Sequence, residues 1–274
     1  MPLTHRALKD LRALRLKKHR HAQGQALVEG ARLVGAALGS DAEVAQLFWT
    51  EAFAASPAAL PLKSALQRRG LPPTDLTGTQ AEQLAETRHP QGVFAVVAQP
   101  RVAPDAQRLL QPPILILDAI ADPGNLGTLL RTADWFGLPT VWVSAESADV
   151  TSPKVLRAGA GAHFHLPTLW QGALPSLADR LAAGNTTLIG AVLDGAPLTA
   201  AALPGNDWAL VVGSEAHGLS PFWRQRLDRA LTIPGVGRAE SLNAAVATGI
   251  LLHYLRGGQE GAGPTAEWLA GKGN

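Results

Sequence analysis

"WALVVGSEAHGLSPFWRQRLDRALTIP", Trp208 to Pro234, reads as one structural unit. A continuous apolar run ends in Gly213, Ser214 and Glu215. A helix-compatible segment, "SPFWRQRLD", follows, and a second apolar run, "ALTIP", closes the unit. Short continuous apolar runs are strands buried on both faces, and helices alternating with them indicate a parallel sheet. The alternation extends outward. "ILILDAI", "TVWVSA" and "TLIGAVL" read as strands, and "NLGTLLRTADWFG", "SPKVLRAGAGAHF", "LPSLADRLAAG" and "SLNAAVATGILLHYL" as helices. Residues 112–258 are therefore predicted to form an α/β domain on a parallel sheet.

Ahead of it the pattern changes. "PRVAPDAQRLLQPP" has the composition of a linker, and residues 1–104 read as a small α+β domain. Its predicted parts are a basic leading helix, a helix around "GQALVEGARLVGAAL", an apolar stretch "AQLFWT" and a strand "GVFAVVA". The leading helix carries Arg6, Lys9, Arg12, Arg15, Lys17, Lys18 and Arg20, with Leu8, Leu11 and Leu14 as an apolar stripe. It is either a phosphate-contacting arm or a solvated helix face. Arg68 and Arg69 carry the same two readings, and His89 reads as a loop residue. Residues 259–274 are Gly-rich and expected to be mobile; Trp268 within them has no assigned part.

Composition narrows the classes. The 274 residues fit two domains, and 46% hydrophobic with 17% charged residues suits a soluble protein with a sizeable core. No apolar run reaches membrane length, and the start lacks a signal-peptide core, so a cytoplasmic protein without membrane contact is expected. With no cysteine there is no disulfide, thiol nucleophile or Cys-ligated metal, and no metal site is expected. A net charge of +2 with a pI near 9.2 points weakly to an anionic partner.

In parallel α/β sheets, ligands gather beyond the carboxyl ends of the strands. Three strand ends here carry polar residues. At the first, "DAIADPGNLGTLLRTADWFG", "DPGN" reads as a turn, and Asn125 can cap the helix. Arg131 within that helix either faces a phosphate or ribose, or pairs with Asp134 or Asp118. At the second, Gly213 and Gly218 bracket Ser214 and Glu215, allowing close backbone approach to a ligand. Glu215 either orients a hydroxyl or caps the next helix, and His217 reads as a base or a solvent-facing loop residue. At the third, the strand ends at Ile233 and Pro234, and Ser241 is the expected N-cap of a small-residue helix. Asn243 in its first turn can bond outward.

Singly these signals are general. In their order they closely resemble the three motifs of the SpoU, or TrmH, family of RNA ribose 2′-O-methyltransferases. The resemblance covers residues 112–258. Residues 1–104 are similar, more weakly, to a substrate-binding domain often placed ahead of it. The resemblance implies a C-terminal trefoil knot, S-adenosylmethionine as cofactor, and a homodimer acting on RNA, with ribosomal RNA ahead of transfer RNA. Cofactor contacts are implied at Gly213, Ser214, Gly218, Ile233, Pro234 and Leu242. Catalysis or substrate placement is implied at Asn125, Arg131, Glu215, Ser241 and Asn243. A guanidinium keeps its proton near neutral pH, so Arg131 is expected to be an essential anchor rather than the base. Gly159 departs from the family, where a hydroxyl residue is common, and Lys154 and Arg157 either touch RNA or form helix surface. Two other classes stay open. One is a catalytically silent RNA-binding protein. The other is a dinucleotide oxidoreductase, whose glycine fingerprint is missing.

Overall fold

The computed structural model describes residues 3–99, 108–173, 175–198 and 205–257. Most of the linker and the tail at 259–274, with Trp268, lie outside the described residues. The N-terminal part runs α1 (His5–Ala13), α2 (Lys17–Gln23), β1 (Gln25–Glu29), α3 (Ala31–Gly39), β2 (Val44–Thr50), α4 (Glu51–Ala54), α5 (Leu60–Arg69), β3 (Thr74–Leu76), α6 (Gly78–Leu84) and β4 (Val93–Ala98). Its four strands lie in the order β1-β4-β2-β3. β4 is antiparallel to both neighbours, and β3 is parallel to β2. Helices α3 and α5 cover one face, and α1 and α6 the other.

Two expectations here need correction. "GQALVEGARLVGAAL" is a strand and a helix, divided at Gly30, whose φ of 97° breaks any continuous helix. The basic leader is two helices, although Leu8, Leu11 and Leu14 are buried as expected. Two of its seven cations serve the fold. Arg15 donates to the carbonyls of Gln83 and Ala85. Arg20 is 2% exposed and donates to the carbonyls of Leu14 and Arg15, beyond the end of α1. Arg6, Lys9, Arg12, Lys17 and Lys18 remain exposed. Arg69 is likewise structural, bonding the carbonyls of Ser40 and Ala42.

The second part runs β5 (Ile114–Leu117), α7 (Pro123–Trp135), β6 (Thr140–Ser144), α8 (Pro153–Gly159), β7 (Thr168–Gly172), α9 (Pro175–Ala182), β8 (Thr187–Pro197), β9 (Trp208–Val212), α10 (Pro221–Arg224), β10 (Arg229–Thr232) and α11 (Ala244–Gly257). All six strands are parallel, in the order β10-β8-β9-β5-β6-β7. α7 and α11 pack on one face, and α9 and α10 on the other. Ile114, Leu115, Ile116 and Leu117 are fully buried, each worth about 1.5–3 kcal/mol. β7, one of the two edge strands, falls outside the runs expected as strands, and "SPFWRQRLD" contributes one helical turn only. No helix among the described residues is long and apolar enough to cross a membrane.

Gly159 has a packing reason. A Cβ there would stand 2.7 Å from Cε1 of His163, a buried imidazole. Neither ring nitrogen has a well-formed hydrogen bond among the described residues. Burial pulls the His163 pKa down to about 4, outweighing the nearby Val150 backbone, which favours the charged form. The native state therefore resists a proton that the unfolded chain takes up near pH 6.5. Stability from this residue is present above pH 6.5 and is lost as pH falls towards 4, by about 3 kcal/mol in all. Denaturant titrations between pH 7 and 4 should show His163→Leu losing stability less steeply than wild type; parallel curves would refute this.

Candidate active site

The carboxyl ends of β8, β9 and β10 surround an open cleft of about 1050 Å³. Gly213, Ser214 and Gly218 line it from the loop after β9, and Ile233 and Pro234 from the loop after β10. Leu242 completes the set, so all six expected cofactor positions share one cavity, joined there by Glu215 and Ser241. The β9 loop is a tight turn. Gly218 N donates to Ser214 O at 2.8 Å, and Ser214 Oγ accepts from His217 N at 3.2 Å. Asp118, just past β5, receives Ser220 N at 2.7 Å and pins the far end of this loop. His217 lines the cleft too.

The helix starts differ from expectation. Asp122, not Asn125, caps α7, accepting from Asn125 N at 2.7 Å, with Pro123 and Gly124 inside the first turn. Asn243, not Ser241, caps α11: its Oδ1 accepts from Ala245 N at 2.9 Å and Val246 N at 3.3 Å. Capping fixes the orientation of the Asn243 amide. Its Nδ2 must then point away from the helix, and it donates to Asn125 Oδ1 at 3.0 Å. Asn125 is oriented in turn, and its Nδ2 donates to Glu215 Oε1. A directional chain thus runs from the start of α11 through Asn243 and Asn125 to Glu215, joining all three motifs. Glu215 Oε2 makes no hydrogen bond among the described residues and remains an open acceptor.

Arg131 stands apart. It is exposed on α7, about 9 Å along the axis from Asn125, and does not line the cleft. Neither suggested ion pair forms. Asp134 pairs with His165 at 3.2 Å, and Asp118 accepts from Ser220. Arg131 has no hydrogen bond or ion pair among the described residues. Lys154 is exposed, 4.0 Å from Asp122, while Arg157 bonds Glu86 of the N-terminal part at 3.1 Å. Sequence reasoning missed Asp118 as a loop anchor, and Asp194 and Arg224, which pair on the cleft wall. The aspartate at the end of β5 was a visible signal; the Asp194–Arg224 pair had none. Among the described residues no group of three or more His, Asp or Glu is placed to hold a metal ion.

A parallel α/β sheet with a ligand cleft beyond its strand ends, edged by a bonded polar triad, defines a ligand-binding α/β enzyme domain. Comparison with known proteins gives the family. The SpoU rRNA Methylase family matches residues 112–253, and the MRM3-like substrate binding domain matches residues 6–95. The 23S rRNA (guanosine(2553)-2′-O)-methyltransferase RlmP of Bacillus subtilis is 35% identical over 261 residues, spanning 91% of this chain and 96% of that protein. An AdoMet-bound rRNA methyltransferase from Sinorhizobium meliloti superposes with a TM-score of 0.81 at 27% identity, covering 94% of this chain and 98% of that one. The SpoU methyltransferase AviRb from Streptomyces viridochromogenes, in complex with AdoMet, gives 0.79 at 27% identity, with 93% and 98% covered. The chain belongs to the SpoU rRNA methylase family.

Proposed function

We propose that this protein transfers a methyl group from S-adenosylmethionine to a ribose 2′-hydroxyl of ribosomal RNA. The observation that carries it is the Asn243–Asn125–Glu215 chain, bonded together at the edge of a cleft that holds every expected cofactor position. The cleft suits the cofactor. Leu231, Ile233, Leu242 and Leu251 offer apolar wall for an adenine, and the Gly213–Gly218 turn offers backbone groups for its polar atoms. When bound, S-adenosylmethionine supplies an electrophilic methyl group on sulfur. Glu215, held by Asn125, receives the ribose hydroxyl at its open oxygen and aims it. Ser241 lines the same space, and Arg131 anchors the adjoining phosphate by charge.

The division of labour belongs to the same proposal. Residues 1–104 grip RNA through Arg6, Lys9, Arg12, Lys17 and Lys18, and residues 112–258 carry the chemistry. Their matches to the MRM3-like substrate binding domain and to the SpoU rRNA Methylase family support this split. The C-terminal segment is threaded as a trefoil knot, a reading supported by the two loops from β9 and β10 that wall one cleft before α11 packs back on α7. The working unit is a homodimer in the cytoplasm. Trp135, Leu242, Val246 and Ile250 are all at least 40% exposed on or beside α7 and α11, an apolar face that a second copy would cover.

Purified protein, S-adenosylmethionine and separate rRNA and tRNA transcripts test this. Ribose methylation, mapped by resistance to alkaline cleavage, should appear at one position in rRNA, and light scattering should report a dimer. Cofactor and RNA binding without any methyl transfer would leave the silent RNA-binding class instead.

A further inference from the structure

One buried guanidinium clamps the N-terminal part to the catalytic part. Every nitrogen of the Arg20 head group is bonded. Nη1 donates to Leu14 O at 3.0 Å and Arg15 O at 2.6 Å, Nε to Thr151 Oγ1 at 3.3 Å, and Nη2 to the Asp149 carboxylate. The first two acceptors follow α1; the last two lie just ahead of α8, in the other domain. Asp149 is equally engaged. Its second oxygen accepts from Thr151 N at 2.9 Å and Thr151 Oγ1 at 2.7 Å. Gln99, just past β4, donates to Thr151 Oγ1 at 3.2 Å. The hydroxyl thus gives one bond and receives two. His21 Nε2 stands 3.7 Å from the same carboxylate.

The clamp sits beside a close-packed seat. Leu156 of α8 is 2% exposed and belongs to the core of the N-terminal domain. A Cβ at Gly161 would come within 2.6 Å of Ala36 Cβ, so the two domains meet without slack. On its other side α8 presses on α7. A Cβ at Gly127 would stand 2.5 Å from Ala158 Cβ and 2.6 Å from Val155 O. α7 carries Asn125 and Arg131. A rigid path therefore leads from the N-terminal core, through α8, to the helix that bears the site.

Apolar surfaces can slide past each other at small cost, but a guanidinium with fixed acceptors on both sides cannot. A buried ion pair adds little net stability over an apolar pair of the same shape, so its use here is directional. We infer that Arg20 and Asp149 are positioning residues for substrate choice. They hold the RNA-gripping surface at one distance and angle from the Asn125–Glu215–Asn243 site, and so decide which ribose is presented. This rests on the RNA-methylating reading above.

Two measurements test it. The chain has no cysteine, so spin labels can be placed at Arg68→Cys and Asp179→Cys, exposed positions of the two domains. The distance distribution should be narrow in the otherwise unchanged chain and broader with Asp149→Asn or Thr151→Val. Equal widths in all three would overturn the clamp. The same variants should then methylate riboses beside the original one. Their KM for rRNA should rise about tenfold while kcat falls less than about threefold, with cofactor affinity unchanged. A lowered Tm with a single methylated position and the wild-type KM would overturn the positioning role. If Asp149→Asn fails to fold, Thr151→Val and Arg20→Lys carry both measurements. Wild-type protein that leaves rRNA unmethylated, yet shows one narrow distance, would take down the functional reading and the choice of ribose with it, while the clamp stood.

Discussion

Arg131→Ala should lower the single-turnover methylation rate by about 10²–10³-fold, roughly 3–4 kcal/mol if the contact resembles an oxyanion donor. Affinity for S-adenosylmethionine should stay within about twofold, because the side chain lies outside the cleft. The structure sharpens this expectation. Arg131 is exposed and makes no hydrogen bond or ion pair among the described residues, so nothing in the fold loses a partner when it goes. A rate loss would then report on substrate alone. Arg131→Lys keeps the charge but loses the bidentate fork, and should retain measurable activity with the wild-type pH profile. An amine can give up its proton where a guanidinium does not. A displaced profile in the Lys variant would therefore mark this position as the base, and an unchanged rate in Arg131→Ala would remove it from the reaction.

Gly213→Ala should weaken S-adenosylmethionine binding by about 100-fold or more, a change of at least about 2.7 kcal/mol. A methyl group at this position would overlap the Gly218 carbonyl and stand 2.5 Å from Leu219 N. All of these atoms are backbone, so no rotamer change relieves the overlap, and the Ser214–Gly218 turn must open. Gly218→Ala is the informative companion. Gly218 has φ of 65° and open space where its Cβ would go. Its penalty is the strain of a left-handed alanine, about 1–2 kcal/mol, with no collision. Calorimetric titration should rank wild type, Gly218→Ala and Gly213→Ala in falling affinity. Binding by Gly213→Ala within threefold of wild type would show that the turn does not hold the cofactor.

The parallel sheet was legible because five of its six strands fall in short apolar runs. The edge strand β7 was not, since "TLWQG" is polar towards its end and half-buried there. β1 was absorbed into a helix because "ALVEGARLV" satisfies a helical spacing, and only the backbone at Gly30 separates the two. At the site, the structure brings Asn125, Glu215 and Asn243 together, while the capping expected of Ser241 and Asn125 falls to other residues. Ser241 and Asn125 have good capping chemistry, but caps are decided by where the chain enters the helix. Asp122 and Asn243 hold those places. Arg20 is the clearest limit. Among six other cations it reads as surface, and its partners Asp149 and Thr151 lie about 130 residues away. The pairing has a consequence for Asp149. Burial alone would raise its pKa, yet the bonds from Arg20 and Thr151 hold it below the usual carboxylate value. What this carboxylate contributes is kept above pH 3.8 and lost only below it, so milder acid acts through His163 first.

The three-residue chain at the site also sets a clock. Asn125 and Asn243 are separated by 118 positions, and Asn125 and Glu215 by 90. A ribosome delivers them in order, and α11 emerges after the other described elements. The sheet, the Gly213–Gly218 turn and α7 can all be complete while Asn243 is still missing. During that interval the Asn125 amide can meet Glu215 but not Asn243, so one of the two bonds that orient it is absent. A chain cut short before Asn243 should therefore show little methyl transfer even with its sheet assembled, and a truncated chain as active as the full one would remove this triad from the reaction. The arrangement couples the site to the docking of α11: its three polar side chains are joined only once the start of that helix is in place.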